Sequence, residues 1–162
     1  MVLWFLGGSL VITWLVFHDP AIDYRVLMLG AVLPDLVDGL FGGARVLHSV
    51  VGSVVLLVVV MLATIGRRAA RRRWIFLPIG TFLHLALDGA FTVTQVFWWP
   101  FTGWSFDGEP LPSVERGLSG VNLLLEAAGL VALVWFYRRF GLGDPVRRRQ
   151  FVRTGRLDRA LA

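Results

Sequence analysis

Long apolar runs separated by arginine-rich breaks set the pattern of this chain. The clearest run is Val46–Ile65, VLHSVVGSVVLLVVVMLATI, about 20 residues and so about 30 Å of helix, the thickness of a bilayer's hydrocarbon. It ends at Gly66 and a block of Arg67, Arg68, Arg71, Arg72 and Arg73. A second run starts at Trp74 and reaches about Phe91, and a third, Leu118–Tyr137, ends in Arg138 and Arg139. Upstream, Val2–Phe17 is apolar over about 16 residues, and Val26–Phe41 is apolar apart from Pro34, Asp35 and Asp38. Gly30 and Pro34 would break a helix in water but are tolerated in a bilayer, where neighbouring groups satisfy the freed backbone. The first run has no basic leader and no small-residue cleavage signal, so it reads as a span rather than a signal peptide. The pattern predicts an all-α fold: a polytopic membrane helical bundle of about five transmembrane segments. Residues 1–140 would form one membrane-embedded helical domain and 141–162 an Arg-rich cytoplasmic tail.

Composition sharpens this picture. Of 162 residues, 56% are hydrophobic and 17% charged, and mean hydropathy is +0.70, whereas soluble domains average about 45–50% apolar and about a quarter charged. The absence of cysteine excludes a disulfide scaffold, a Cys-based zinc finger and thiol catalysis. All 16 basic residues are arginine, against 11 acidic ones. Most sit at the ends of apolar runs, a pattern of membrane topology. The cluster at 67–73 and the tail from Arg138 would face the cytoplasm, placing the N-terminus and the 92–117 connection outside. The His18–Arg25 loop must then be cytoplasmic although it carries one arginine, which leaves the direction of the first segment open. In the tail, Arg147, Arg148, Arg149, Arg153, Arg156 and Arg159 suit anionic lipid headgroups. Nothing in it reads bases, so no nucleic acid is expected.

Several polar residues interrupt the apolar runs, where they are costly and mark functional sites by default. Asp35 and Asp38 are spaced i, i+3, and His84 and Asp88 i, i+4, so each pair shares a helix face. Arg45, His48, Ser49, Gly52 and Ser53 form a polar and small stripe, as do Ser119, Asn122 and Glu126. With the orientation above, all four segments carry these groups in the same outer half of the bilayer, which predicts convergence on one site. Three carboxylates and two imidazoles (Asp35, Asp38, His48, His84 and Asp88) suit a divalent metal: Zn²⁺, Mn²⁺ or Fe²⁺, or Mg²⁺ with more oxygen. Without a cation, buried like charges would repel. Two residues are the candidate catalytic groups. Arg45 would clamp an anionic group such as phosphate or snorkel to the interface; Glu126 would act as general base, orient a histidine or form an interhelical hydrogen bond. Ser49 suits close helix approach better than nucleophilic attack.

The order LPDLVD (33–38), RVLHS (45–49), HLALD (84–88) and WWPF (98–101) resembles the YdjM-type family of bacterial inner-membrane proteins described as membrane-bound metal-dependent hydrolases. The likeness covers roughly residues 26–101, about half the chain. It implies a metal held by Asp35, Asp38, His48, His84 and Asp88, and a place in the bacterial cytoplasmic membrane. Gly43 and Ala44 stand where the family often has His and Arg, and the first segment lacks a histidine often found there.

Together these readings predict a hydrolase in which a divalent metal, Zn or Mn before Mg, activates water against an ester or phosphoester of a lipid or lipid-linked substrate. The alternative is a non-enzymatic membrane protein, a transport component or accessory subunit, using the Asp/His cluster for cations or protons. The apolar inner halves at 55–65 and 130–136 disfavour conduction. Asp107, Glu109 and Glu115 in the outer loop, 102–116, read as solvated charges or as groups that gate access.

Overall fold

The computed structural model describes residues 1–40, 45–106, 117 and 119–161, which are helical and contain no strand. The outer-loop carboxylates Asp107, Glu109 and Glu115 lie outside the described residues, as do Phe41, Gly43, Ala44 and Leu118. The longer helices are α1 (Val2–Phe17), α2 (Tyr24–Leu40), α3 (Val50–Ala63), α4 (Arg68–Trp74) and α5 (Phe76–Asp88). A single turn, α6 (Thr94–Phe97), is followed by α7 (Gly120–Arg139) and α8 (Pro145–Thr154).

The expected run Val46–Ile65 is not one helix. Val46–His48 forms a 3₁₀ turn and Ser49 takes an extended conformation, its Oγ accepting the Gly52 N–H as the N-cap of α3. Serine competes for backbone donors in this way, so it starts a helix more readily than it continues one. Its hydroxyl also donates to the Val46 carbonyl at 2.7 Å, so Ser49 is a cap. The next run is longer than expected. Ile75, between α4 and α5, keeps right-handed helical angles, and its N–H bonds to the Arg71 carbonyl. The helical path therefore runs on from Arg68 to Asp88.

By length and composition α7 is the one described helix able to cross a membrane; α1 and α3 are apolar but shorter, at 16 and 14 residues. α2 packs chiefly on α5, and α1 on α7. Small residues allow the first approach: a Cβ on Gly30 would strike the Leu77 carbonyl, and one on Gly80 the Leu27 carbonyl. Large apolar side chains elsewhere point outward with no protein over them, among them Val55, Val59 and Leu62 of α3 and Leu123, Leu124 and Val131 of α7.

The chain after 140 is part of the bundle rather than a separate tail. Phe140, Leu142 and Leu157 share one core cluster with Trp14, Ile22, Tyr24 and Phe136. The Leu157 N–H donates to the Pro20 carbonyl at 2.9 Å and the Tyr24 N–H to the Gly155 carbonyl at 3.0 Å. Gly155 has φ +72°, and an added Cβ would collide with the Asp23 carboxylate, so glycine is needed here on both counts. This docking also answers how the 18–25 loop finds positive charge. Arg72 pairs with Asp19 at 2.9 Å and Arg73 with Asp23 at 2.9 Å, so α1 ends, and α2 begins, at the arginine-rich end.

Asp23 ties that end together. Burial pushes its pKa up, but the hydrogen bonds and charge of Arg25 and the charge of Arg73 outweigh it and hold the carboxyl below its ordinary 3.8. The stability this supplies is complete above that ordinary value and is lost as pH falls through the lowered one. Asp23→Asn is therefore expected to cost about 2 kcal/mol at pH 7, the scale of a buried charged acceptor removed from two partly exposed arginines. Thermal unfolding in detergent at pH 7 and pH 3 checks this: the gap between variant and wild type should narrow at pH 3, and an unchanged gap refutes it.

Candidate metal centre

Two helices and one turn bring the site together. Asp35 and Asp38 come from the last turns of α2, His48 from the 3₁₀ turn before α3, and His84 from α5. His48 and His84 are buried, with rings 5.2 Å apart and nearly perpendicular. His84 Nδ1 lies 2.7 Å from the Ala31 carbonyl oxygen. That oxygen only accepts, so Nδ1 carries the proton and Nε2 presents a lone pair when the ring is neutral. His48 Nδ1 lies 2.8 Å from Asp38 Oδ2, with the same consequence. Both Nε2 atoms point to Asp35 Oδ1, each at 3.4 Å.

With both rings neutral, two nitrogen lone pairs face one carboxylate oxygen, and among the described residues the buried His84 Nε2 has no hydrogen-bond partner. The donor set fits a divalent cation. One ligand atom each from Asp35, His48 and His84 lies within 4.8 Å of the others, close enough to bind a metal ion. Ligands about 2.0–2.2 Å from a tetrahedral ion lie about 3.3–3.6 Å apart, and the two 3.4 Å separations match that edge. Two histidines and one carboxylate, each histidine braced through its far nitrogen by a carboxylate or a carbonyl, is the donor arrangement of an open metal site. Access comes through Asp35, whose side chain is 45% exposed while both imidazoles are enclosed. Phe5 of α1 closes the other side, its ring centroid 4.0 Å from that of His84.

The structure gives the predicted residues different roles. Asp38 braces His48: its Oδ2 accepts from the ring and from the backbone N–H groups of Arg45 and His48, at 2.9 and 3.2 Å. Asp88 is not one of the three clustered residues, although it lies one turn beyond His84. It is 1% exposed, and among the described residues neither carboxylate oxygen has a hydrogen-bond partner. Arg45 meets the site through its backbone N–H, and its side chain is exposed. Glu126 is spent elsewhere: its Oε2 accepts the Leu3 N–H at 3.0 Å and its Oε1 lies 3.5 Å from the Met1 amino group, at the start of α1. Helical spacing had placed Glu126 at the right depth but could not say which neighbour its face of α7 meets. Ser119 and Asn122 serve the start of α7 itself, Ser119 as its cap and Asn122 bonded to the Gly117 carbonyl at 2.6 Å. The Ala31 carbonyl and Phe5 carry no signal in the sequence, the first because every residue has a carbonyl, the second because one phenylalanine among twelve is unmarked.

Beside Asp35, an apolar groove of about 430 Å³ runs between α1 and α2, lined by Val2, Leu6, Met28, Leu29, Val32 and Leu36. Asp35 is thus the one polar residue lining an otherwise apolar groove.

No family model, curated protein or solved structure matches this chain. What the fold and the site define is an all-helical protein carrying an Asp/His group close enough to bind a metal ion.

Proposed function

We propose that this chain is a multi-pass membrane protein and a metal-dependent hydrolase, acting on an ester or phosphoester of a membrane lipid or lipid-linked substrate. The observation that carries the reading is the pair of Nδ1-committed histidines turning their Nε2 atoms on Asp35. The membrane part is supported by the uncovered apolar faces of α3 and α7, far larger in extent than scattered exposed residues on a soluble protein. The ordered motifs that resemble the YdjM-type family of the bacterial inner membrane fall on the same residues, and the arginine-rich end would then face the cytoplasm. Zinc or manganese suits the donors best.

When bound, such an ion supplies Lewis acidity and makes water acidic near neutral pH. The chain's own residues do the rest. Asp35, His48 and His84 hold the ion, while Asp38 and the Ala31 carbonyl keep both imidazoles in the ligating tautomer. Phe5 keeps water from the enclosed side of His84. The groove between α1 and α2 takes an acyl chain and presents its polar end at Asp35. Asp88 supplies a further carboxylate on the His84 face.

The test is hydrolysis of short-chain phospholipids by purified protein loaded with zinc or manganese, followed as released fatty acid or phosphate. Activity should vanish with a chelator, return with the metal and be missing from His84→Ala. Tight metal binding with no turnover of any lipid ester or phosphoester removes the hydrolase reading, and failure to bind metal removes the centre itself.

A further inference from the structure

At the end of the bundle opposite the metal centre, about 15 Å along α2 from Asp35, a second polar pocket of about 270 Å³ is lined by Arg25, Arg72, Arg73, Arg153, Arg156 and Asp23. Its walls come from the start of α2, from α4 and from the chain around the end of α8, elements far apart in sequence. Five guanidinium groups face one carboxylate. Asp23 is already shared between Arg25 and Arg73, and Arg72 is taken by Asp19. Arg153 and Arg156 make no side-chain bond or ion pair to any described residue, so the pocket holds cationic donors that the described residues do not pair.

We infer that this pocket binds the phosphate of an anionic lipid headgroup. Guanidinium pairs are suited to phosphate oxygens by charge and by their planar fork. The volume falls below the roughly 300–1,000 Å³ of sites that enclose a whole ligand, so it fits a headgroup whose chains lie outside. The location selects lipid over a free anion. The exposed apolar face of α3 is followed by the exposed Ile65 just before the arginines, and Trp74 lies beside Arg73, whose guanidinium carbon is 5.4 Å from the ring centroid. An apolar wall followed by tryptophan and arginine is the order of groups at a membrane surface. A phosphate there would bridge Arg72 and Arg73 to Arg153 and Arg156, clamping the docked C-terminal segment to the bundle. The inference is independent of the metal centre and rests only on the membrane part of the proposed reading.

Two measurements separate those dependencies. Resistance of the expressed protein to extraction from membranes by alkaline carbonate tests the membrane reading alone; release into the supernatant overturns that reading and this inference with it. Thermal unfolding in detergent then tests the pocket with dioctanoyl phosphatidylglycerol, dioctanoyl phosphatidylcholine and inorganic phosphate. Phosphatidylglycerol should raise the midpoint of the wild type, and the other two should not. The double variant Arg153→Gln/Arg156→Gln should bind phosphatidylglycerol about 100-fold more weakly, about tenfold for each guanidinium lost. Arg148→Gln/Arg149→Gln, which removes the same charge outside the pocket, should retain the wild-type response. Equal losses in both double variants, an equal shift with inorganic phosphate, or no shift with phosphatidylglycerol would each overturn the inference.

Discussion

Asp35→Asn and His84→Ala are each expected to reduce bound zinc or manganese from about one equivalent per chain to background, the three-ligand count leaving no reserve. The two variants fail for different reasons and so protect each other as tests. His84 is fully buried, so alanine also leaves a cavity against Phe5 and lowers stability. Asp35 is half exposed and asparagine keeps its volume, so any loss of metal there comes from the missing negative charge. Asp38→Asn should behave otherwise. It weakens the acceptor that fixes the His48 ring without removing a ligand, and affinity should fall about 10–100-fold while saturating metal still fills the site. Mass-spectrometric metal content, together with competition against a chelator of known affinity, distinguishes these outcomes. An Asp35 variant that keeps its metal at wild-type affinity sinks the assignment.

Gly80→Val should be the most damaging substitution away from the Asp/His cluster. At Gly80 an added Cβ meets the Leu27 carbonyl and the Ala31 N–H, both backbone groups of α2 that no rotamer change can move. Overpacking usually costs about 1–3 kcal/mol when side chains can adjust; here whole helices must part, and we expect about 3 kcal/mol or more. The metal should go too, because separation of α2 from α5 withdraws the Ala31 carbonyl from His84 Nδ1. Gly39→Ala is the matched control. It lies in α2 with nothing within 4 Å of an added Cβ, and replacing a helical glycine there should be neutral or stabilising by about 0.5–1 kcal/mol. Thermal unfolding and metal content of the two variants check both halves of the prediction. A Gly80 variant with wild-type stability would mean that α2 and α5 do not pack through this contact.

Much of the architecture was legible because helices announce themselves locally. Apolar runs and arginine breaks marked the major helices, and spacings of three and four paired Asp35 with Asp38 and His84 with Asp88. Boundaries failed where side chains compete for the backbone: Ser49 splits the expected run at 46–65, and the helical path to Asp88 begins among the arginines rather than after them. The packing of the C-terminal segment was not legible because its arginines dominate its composition. Leu142, Phe151 and Leu157, too sparse to form a run, are the residues that dock it.

The residue types, their helical phase and their depth along each helix were determined by the sequence alone, since 1.5 Å per residue converts position into height without knowledge of neighbours. Of the five residues expected to converge, Asp35, His48 and His84 come close enough to bind a metal ion. Which helix faces meet was decided only by packing, because rotation about a helix axis leaves depth unchanged and depends on close approaches such as that of Gly30 to Gly80. The same packing turned Asp38 into a brace for His48 and sent Glu126 to the start of α1. It also brought Arg25, Arg72, Arg73, Arg153 and Arg156, separated by up to 131 positions, around one pocket.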